Sequence, residues 1–277
     1  MDWFGLILLA IVQGVAEFLP ISSSGHLALG AHFLGLSEGQ DELSIVLHGG
    51  TLGSILVFYH RRILALLSQD RRVIPMLIVG TIPAGVLGVF LKKMAPSMWG
   101  IDIMDGFPAA LTASLMLPIT GLLMLSIPLL RARQRDEEAL QEYQQLSYGQ
   151  VFVIGCFQAF ALLPGISRSG STIFAGILTG LRSQAAATFS FLLAIPAICG
   201  AMTLELKDVI ENGSTTSPVL LVTGAFISFV VGLVSLVLLS KFINQGKLHW
   251  FAYWTIPLGL LASIQLLAEF MRSQVEM

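Results

Sequence analysis

The sequence predicts an all-α polytopic membrane protein, an inverted repeat with six spanning helices and two re-entrant helix pairs. Three observations predict it. First, 55% of the 277 residues are hydrophobic, only 12% are charged, and mean hydropathy is +0.82; a soluble domain carries roughly 25% charged residues. Second, the apolar runs are long and unbroken, as in Val73 to Leu91, Leu111 to Leu130, Val219 to Leu239 and Phe251 to Phe270. Each approaches the ~20 residues a spanning helix needs, whereas strands of a membrane barrel alternate apolar and polar positions over ~10 residues. Third, one segment occurs twice, 145 positions apart: Gln13 to His26, and Gln158 to Ser171. Without a gap, Gln13 aligns with Gln158, Ser22 with Ser167, Ser24 with Ser169 and Gly25 with Gly170.

The first element runs over 2–19, interrupted by Gln13, Gly14 and Glu17, and ends at Pro20. A short piece over 25–36 follows the serine cluster. Neither spans comfortably, so together they read as a re-entrant pair with its tip at Pro20 to Gly25; irregular backbone at membrane depth is tolerated only inside protein or along a cavity. Spans follow at 43–60, 73–91 and 107–130. The second half repeats the plan with a pair at 149–182, tipped at Pro164 to Gly170, and spans at 185–206, 218–240 and 249–271. The domain reading is therefore 1–130 for the first repeat, 131–148 for a polar cytoplasmic linker and 149–277 for the second, inverted repeat. The linker carries Arg131, Arg133, Arg135, Asp136, Glu137, Glu138 and Glu142.

Small residues four apart recur in both halves, Gly80-x-x-x-Ala84-x-x-x-Gly88 and Gly224-x-x-x-Ser228-x-x-x-Gly232. They line one helix face and allow close packing. The glycines of Leu47-His48-Gly49-Gly50-Thr51-Leu52-Gly53 are expected to pack against a re-entrant tip, with His48 a structural hydrogen-bond partner. His32, His60, His249, Trp3, Trp99, Trp250, Tyr253 and Trp254 lie near boundaries and fit interfacial anchoring. Cys156 and Cys199 read as small buried hydrophobes rather than a disulfide or metal pair. The start, Met1-Asp-Trp-Phe, lacks a basic region and cleavage site and reads as mature protein. No basic stripe supports nucleic-acid binding.

Orientation follows from Lys and Arg. Placing Arg61, Arg62, Arg71, Arg72, Arg131, Arg133, Arg135, Arg182, Lys241 and Lys247 inside leaves Lys92, Lys93, Lys207 and Arg272 outside, which satisfies the positive-inside rule. The first pair then enters from outside and the second from the cytoplasm, so the halves are inverted and their tips are expected to meet near the midplane.

The tips hold the residues that carry chemistry. Ser22, Ser23, Ser24, Ser167, Ser169, Ser171 and Thr172 supply hydroxyls, and Gly25, Gly165 and Gly170 let backbone N–H groups approach a ligand. Helices restarting after each tip add positive partial charge. Arg168 offers a planar guanidinium suited to phosphate. Together these make an anion site, with phosphate the best candidate. Glu17 and His26 distinguish the first tip from the second, where Leu162 and Ser171 take their places. A site that only binds an anion has no need of a carboxylate, whereas a hydrolytic site uses one to orient a histidine, take a proton or hold a cation. Gln13, four residues before Glu17, shares its helix face as a second partner, a metal ligand or part of the cavity wall.

At these residues the chain resembles the undecaprenyl-diphosphatase family, also called BacA or UppP. The resemblance rests on Gln13-x-x-x-Glu17-Phe-Leu-Pro-Ile-Ser-Ser-Ser-Gly-His26, on Pro164-Gly-Ile-Ser-Arg-Ser-Gly170 and on Phe189-Ser-Phe-Leu-Leu-Ala-Ile-Pro196, and it extends over essentially the whole chain. It implies hydrolysis of undecaprenyl diphosphate to undecaprenyl phosphate and inorganic phosphate in the bacterial inner membrane, recycling the lipid carrier of cell-wall synthesis, with a divalent cation, Mg²⁺ or Ca²⁺, and a link to bacitracin resistance. The family's functional Glu matches Glu17, its serines Ser22 and Ser23, its His His26 and its Arg Arg168. Gln13 stands where the family carries an acidic residue or Gln, and Ser24 where it often carries Thr. On this resemblance Ser23 is the expected nucleophile, His26 its base and Glu17 the group orienting the base; alternatively His26 itself attacks or activates water. Glu17 is the candidate metal ligand. Gln13, Ser22, Ser24, Gly25, Ser167, Ser169, Gly170, Ser171 and Thr172 are the expected substrate contacts, and the polyprenyl tail is expected to lie between helices toward lipid. The site is expected to open to the outer side. The rival is a transporter flipping undecaprenyl phosphate, with Glu17 coupling protons. The sequence leaves the oligomeric state open, a homodimer being one arrangement.

Overall fold

The computed structural model describes residues 3–34, 40–91, 106–133, 140–212 and 217–275. They form eleven helices: α1 (Trp3–Ala16), α2 (Ser23–Leu34), α3 (Gln40–Phe58), α4 (His60–Leu66), α5 (Val73–Val89), α6 (Gly106–Arg133), α7 (Tyr148–Phe160), α8 (Arg168–Leu178), α9 (Ser183–Asn212), α10 (Pro218–Asn244) and α11 (Ala252–Val275). Single 3₁₀ turns, Tyr143–Gln145 and Leu248–Phe251, precede α7 and α11. The spacing of the sequence repeat recurs in the helix starts: α1 and α7 begin at 3 and 148, α2 and α8 at 23 and 168, α5 and α10 at 73 and 218.

Local chemistry sets several of these starts. Ser147 caps α7 by accepting from the Gln150 N–H, and the Gln150 side chain accepts from the Ser147 N–H in return, a reciprocal capping box. Pro218 opens α10 in the first turn, where its missing N–H has no intrahelical role. Four helices are long and apolar enough to cross a bilayer, at 106–132, 183–203, 218–244 and 248–272. The span expected at 43–60 continues past Tyr59 into α4 with a 77° bend and makes a fifth if the pair counts as one. The remaining expected span corresponds to α5, which is apolar but has only 17 residues. This is a multi-pass membrane protein. Its outer surface stays apolar, with Ile78, Val86, Val222, Phe226, Leu261 and Ile264 exposed. Cys156 and Cys199 also lie on that surface as free thiols. They are not buried as expected, because in a bilayer the outside of a helix is as apolar as its core face, so hydrophobic surroundings in sequence do not signal burial.

Helices α1 and α2 have 14 and 12 residues, α7 and α8 13 and 11. At 1.5 Å per residue the longest reaches about 21 Å, short of the ~30 Å hydrocarbon core. Each short pair packs on a helix of the other half: α1 on α10, and α7 on α5. The contacts are reciprocal. A Cβ on Gly80 would meet Val151 of α7 and Leu193 of α9; one on Gly224 would meet Leu6 of α1 and Leu47 of α3. Such exchange of equivalent positions is the mark of a two-fold relation, here within one chain. Helices α6 and α11 pack against each other between the halves, with Gly121 against Ile256 and Gly259 against Pro118.

The glycines after His48 pack differently from expectation. A Cβ on Gly50 would lie 2.3 Å from the Ala225 carbonyl oxygen, Gly53 faces Phe229 and Gly49 faces Met202. They fit α3 to α10 and α9 rather than to a tip. Two hydroxyls fasten the α3–α10 seam: Ser228 donates to the Leu47 carbonyl (2.6 Å) and Ser54 to the Phe229 carbonyl (2.7 Å).

Loops assigned to one side touch one another. Gln144 donates to Asp70 (3.1 Å), Arg131 bonds Ser183, Gln184 donates to Asn244 (2.7 Å), and Gln141 pairs with the 180–182 backbone. Gly246 lies beside Arg131. At another contact, His32 of α2 meets Glu269 of α11 at 3.0 Å and its ring meets Phe107 at the start of α6. Lys92, Lys93, Trp99, Arg135, Asp136, Glu137 and Glu138 lie outside the described residues.

Candidate active site at the paired tips

Both tips build the same helix start. In the second, Ser167 (φ −72°) caps α8: its Oγ accepts from the Gly170 N–H (3.1 Å), its carbonyl from the Ser171 N–H (2.8 Å), and its Oγ lies 3.2 Å from Ser169 Oγ. In the first, Ser22 Oγ accepts from the Gly25 N–H (3.2 Å), the Ser22 carbonyl from the His26 N–H (3.2 Å), and Ser22 Oγ lies 3.3 Å from Ser24 Oγ. The N–H groups of Gly25 and Gly170, expected to face a ligand, are therefore taken by capping serines. One difference is conformational. Ser22 sits at φ +71°, the only non-glycine with positive φ among the described residues, a placement that costs on the order of 1–3 kcal/mol.

The tips meet directly. A Cβ on Gly25 would lie 2.9 Å from Gly165 Cα, and one on Gly170 3.1 Å from Pro20 Cβ. Gly165 aligns with Pro20 and Gly170 with Gly25, so these contacts too are reciprocal. Gly165 needs to be glycine twice over: its φ is +96°, and a Cβ would lie 2.3 Å from the Ala113 carbonyl oxygen of α6. Thr120, two helical turns further along α6, pins this tip by donating to the Gly165 carbonyl (2.8 Å) and accepting from the Ser167 N–H (2.9 Å). Sequence reading did not single out Thr120, because an isolated threonine in an apolar run carries no distinguishing pattern.

Glu17 is the hub. Its side chain is 7% exposed. Oε1 accepts from Arg168 Nη2 at 2.6 Å, across the junction between the halves; Oε2 accepts from Ser23 Oγ at 2.8 Å and from Gln13 Nε2 at 3.1 Å. His48 Nε2 lies 3.8 Å from Oε2, while its Nδ1 is 2.8 Å from the Ser44 carbonyl. Two nearby atoms are buried without partners, Arg168 Nη1 and Gln13 Oε1. Buried polar atoms are nearly always paired, so an unpaired guanidinium N–H beside a carboxylate and a hydroxyl marks a place for an oxygen-rich anion. His48 thus belongs to the site in contact, not only as a structural partner elsewhere in α3. A histidine on the glycine-lined face of a span was the available signal.

His26 is placed differently from the sequence expectation. It does not bond Ser23 or Glu17. Its Nδ1 lies 2.8 Å from the Ser22 carbonyl, so it donates there, and its Nε2 accepts from Trp254 Nε1–H at 2.8 Å. The two ring planes are nearly parallel, at 12° with centroids 6.2 Å apart, as an edge-to-edge bond between ring nitrogens requires. The arrangement of Ser23 with His26 as base and Glu17 behind it is replaced by Ser23 directly on Glu17. The cause is backbone geometry: four residues separate Ser22 from His26, one turn of α2, which directs the imidazole to the start of its own helix. Trp254, read from sequence as an interfacial anchor, is the residue missed here. Beside His26 opens an apolar cavity of about 500 Å³, lined among others by Val15, Ile21, Phe242 and Trp250.

The other expected contacts divide. Ser24 is exposed, and Ser169 Oγ reaches the Leu19 carbonyl at 3.4 Å. Ser171 Oγ is buried and unpaired. Thr172 is engaged elsewhere, with its hydroxyl on the Arg168 carbonyl (2.8 Å) and Ser190 Oγ (2.6 Å), so it braces α8. Among the described residues no group of three or more His, Cys, Asp or Glu gathers as a metal site.

Fold and site define a polytopic membrane protein with one buried, asymmetric cluster of carboxylate, guanidinium and hydroxyl groups where two short helix pairs meet. The chain belongs to the family described as bacitracin resistance protein BacA, which it matches over residues 6–261. It is 49% identical over 258 residues to a protein of Rhodopirellula baltica named undecaprenyl-diphosphatase, covering 92% of this chain and 95% of that one. Proteins of the same name from Alkaliphilus metalliredigens and Corynebacterium striatum are each 35% identical, over 280 and 276 residues; each match covers 94% of this chain and 97% and 93% of theirs.

Proposed function

We propose that this chain hydrolyses undecaprenyl diphosphate to undecaprenyl phosphate and inorganic phosphate, recycling the lipid carrier of peptidoglycan synthesis. The observation that carries it is Glu17 holding Ser23 Oγ on one oxygen and Arg168 on the other, with Arg168 Nη1 unpaired. Nucleophile, base and phosphate clamp stand together, and the relatives bear the name of that hydrolase. Arg168 grips the terminal phosphoryl oxygens. Ser23 Oγ attacks the terminal phosphorus while Glu17 Oε2 takes its proton; the bond to the bridging oxygen breaks, and undecaprenyl phosphate leaves. Water then displaces the phosphoryl group from Ser23, releasing inorganic phosphate and restoring the Ser23 hydroxyl. Positioning and electrostatic stabilisation supply most of the rate, as in other phosphoryl transfers. The cavity lined by Ile21 and His26 offers apolar space beside the first tip, which supports a substrate with a hydrocarbon tail.

The donors fit a hard divalent cation held largely by the substrate. Mg²⁺ is commonly bound by one or two carboxylates plus phosphates, and Glu17 with the unpaired Gln13 Oε1 would hold it. When bound, such an ion would neutralise diphosphate charge.

In this reading the protein sits in the bacterial inner membrane with its site opening to the outer side, because the first pair, which carries Glu17 and His26, enters from there under the positive-inside rule. The transporter alternative draws no support from the relatives' names. Phosphate release from undecaprenyl diphosphate by purified protein in detergent, with and without Mg²⁺ or Ca²⁺, tests the proposal, since detergent removes membrane sidedness. Release is expected; well-folded protein that releases none contradicts a phosphatase.

A further inference from the structure

We infer that Trp254 is a positioning residue for the tip that carries Ser23, acting through His26; the inference rests on the phosphatase reading for its kinetics but not for its geometry. A continuous chain of bonds runs inward from α11. Trp254 Nε1–H donates to His26 Nε2 (2.8 Å), and His26 Nδ1–H donates to the Ser22 carbonyl (2.8 Å). An indole nitrogen can only donate, so it requires Nε2 to be the bare nitrogen and fixes the proton on Nδ1. That proton is what the Ser22 carbonyl receives. The carbonyl belongs to the residue at φ +71°, and the next residue is Ser23, whose hydroxyl lies on Glu17.

The second tip shows what the chain is for. Ser167, the equivalent of Ser22, holds an ordinary φ of −72°, and its helix start is completed by its own capping hydroxyl, backbone bonds and Thr120, with no aromatic side chain. Ser171 occupies the place of His26, and its hydroxyl has no partner. The bonded histidine and its tryptophan occur on the side where the backbone is strained and where the reacting hydroxyl stands. Losing the indole N–H frees the imidazole to put its proton on either nitrogen. In the Nε2–H form, Nδ1 turns a lone pair toward the Ser22 carbonyl, and the anchor becomes a repulsion.

The test uses Trp254→Phe, which keeps an aromatic side chain beside His26 and removes the donor, and Trp254→Tyr, which returns a donor. Trp254 is half exposed, so neither change disturbs the core. Kinetics on a short-chain polyprenyl diphosphate in detergent are paired with ¹⁵N NMR of the histidines, His26 being assigned by its absence in His26→Gln. For Trp254→Phe we expect kcat to fall about tenfold with KM within twofold, and His26 to change from one tautomer to a mixture; Trp254→Tyr should recover part of both. An unchanged kcat, a rise in KM alone, or a single unchanged tautomer in Trp254→Phe overturns the inference. Wild-type protein without phosphatase activity defeats the functional reading instead, and the tautomer then decides this inference by itself.

Discussion

The two tips share a scaffold and divide the chemistry. Each starts a helix with a serine cap, bonds a second serine two residues on and sets a glycine against the opposite tip. Only the first carries a carboxylate, a histidine and a strained serine; only the second carries an arginine. The site exists because the two-fold relation brings unlike residues together at equivalent places: Ser23 aligns with Arg168, and both bond the same Glu17. The repeat supplies a shared frame, and different residues at a few positions give one half a carboxylate and a serine hydroxyl and the other a guanidinium. The lesson is that the shared positions hold the tips together, while the proposed chemistry rests on the positions that differ.

The comparison can be broken most severely at its shared bond. Arg168→Ala is expected to lower kcat on the order of 10²–10³-fold, and Arg168→Lys to rescue little, because an ammonium cannot span Glu17 and a phosphate as a planar fork does. Phosphate release measured on protein with a normal elution profile checks this. The next effect is on the frame. Thr120→Val keeps shape and removes both bonds to the second tip, so stability should fall by about 1–3 kcal/mol, read as a lower midpoint of thermal unfolding in detergent.

A smaller effect discriminates the caps. Serine to glycine at a cap usually costs only a few tenths of a kcal/mol, but at φ +71° glycine also relieves strain. Ser22→Gly is thus expected to be neutral or stabilising, and Ser167→Gly slightly destabilising; the reverse order would show that Ser22 is not strained. The smallest difference should separate the paired glutamines. Both have an unpaired Oε1, but Gln13 Nε2 bonds Glu17 at 3.1 Å, whereas Gln158 Nε2 makes only a 3.5 Å contact to the Gly80 carbonyl. Gln13→Leu is expected to reduce activity several-fold, and Gln158→Leu to leave it within twofold, in the same phosphate-release assay.

Much of this was legible in the residues. The 145-residue spacing anticipated the helix starts, and the breaks at Pro20 and Pro164 anticipated the short pairs. The cost of burying Glu17 and Arg168 in apolar sequence pointed to the site itself. Their mutual bond was not legible, since nothing in one sequence states which groups of two separate segments face each other. The bonding partners of His26 were not legible for a related reason. Spacing along α2 says it is near Ser22, but which of its nitrogens is engaged depends on Trp254, 228 positions away. Thr120 was hidden, and His48 was read as a structural partner alone, because single polar residues in spans usually bond their own helix, as Thr81 and Ser126 do. The exposed cysteines show the limit of hydropathy in a protein whose outside is as apolar as its inside.

The most direct test of the division between the tips is to quench the purified protein during turnover of undecaprenyl diphosphate and locate phosphate on its peptides by mass spectrometry. A phosphoserine at Ser23, absent in Ser23→Ala protein that also loses turnover, is the expected result. Phosphate on Ser169 or Ser171, or steady turnover by Ser23→Ala, would contradict the assignment of the nucleophile to the first tip.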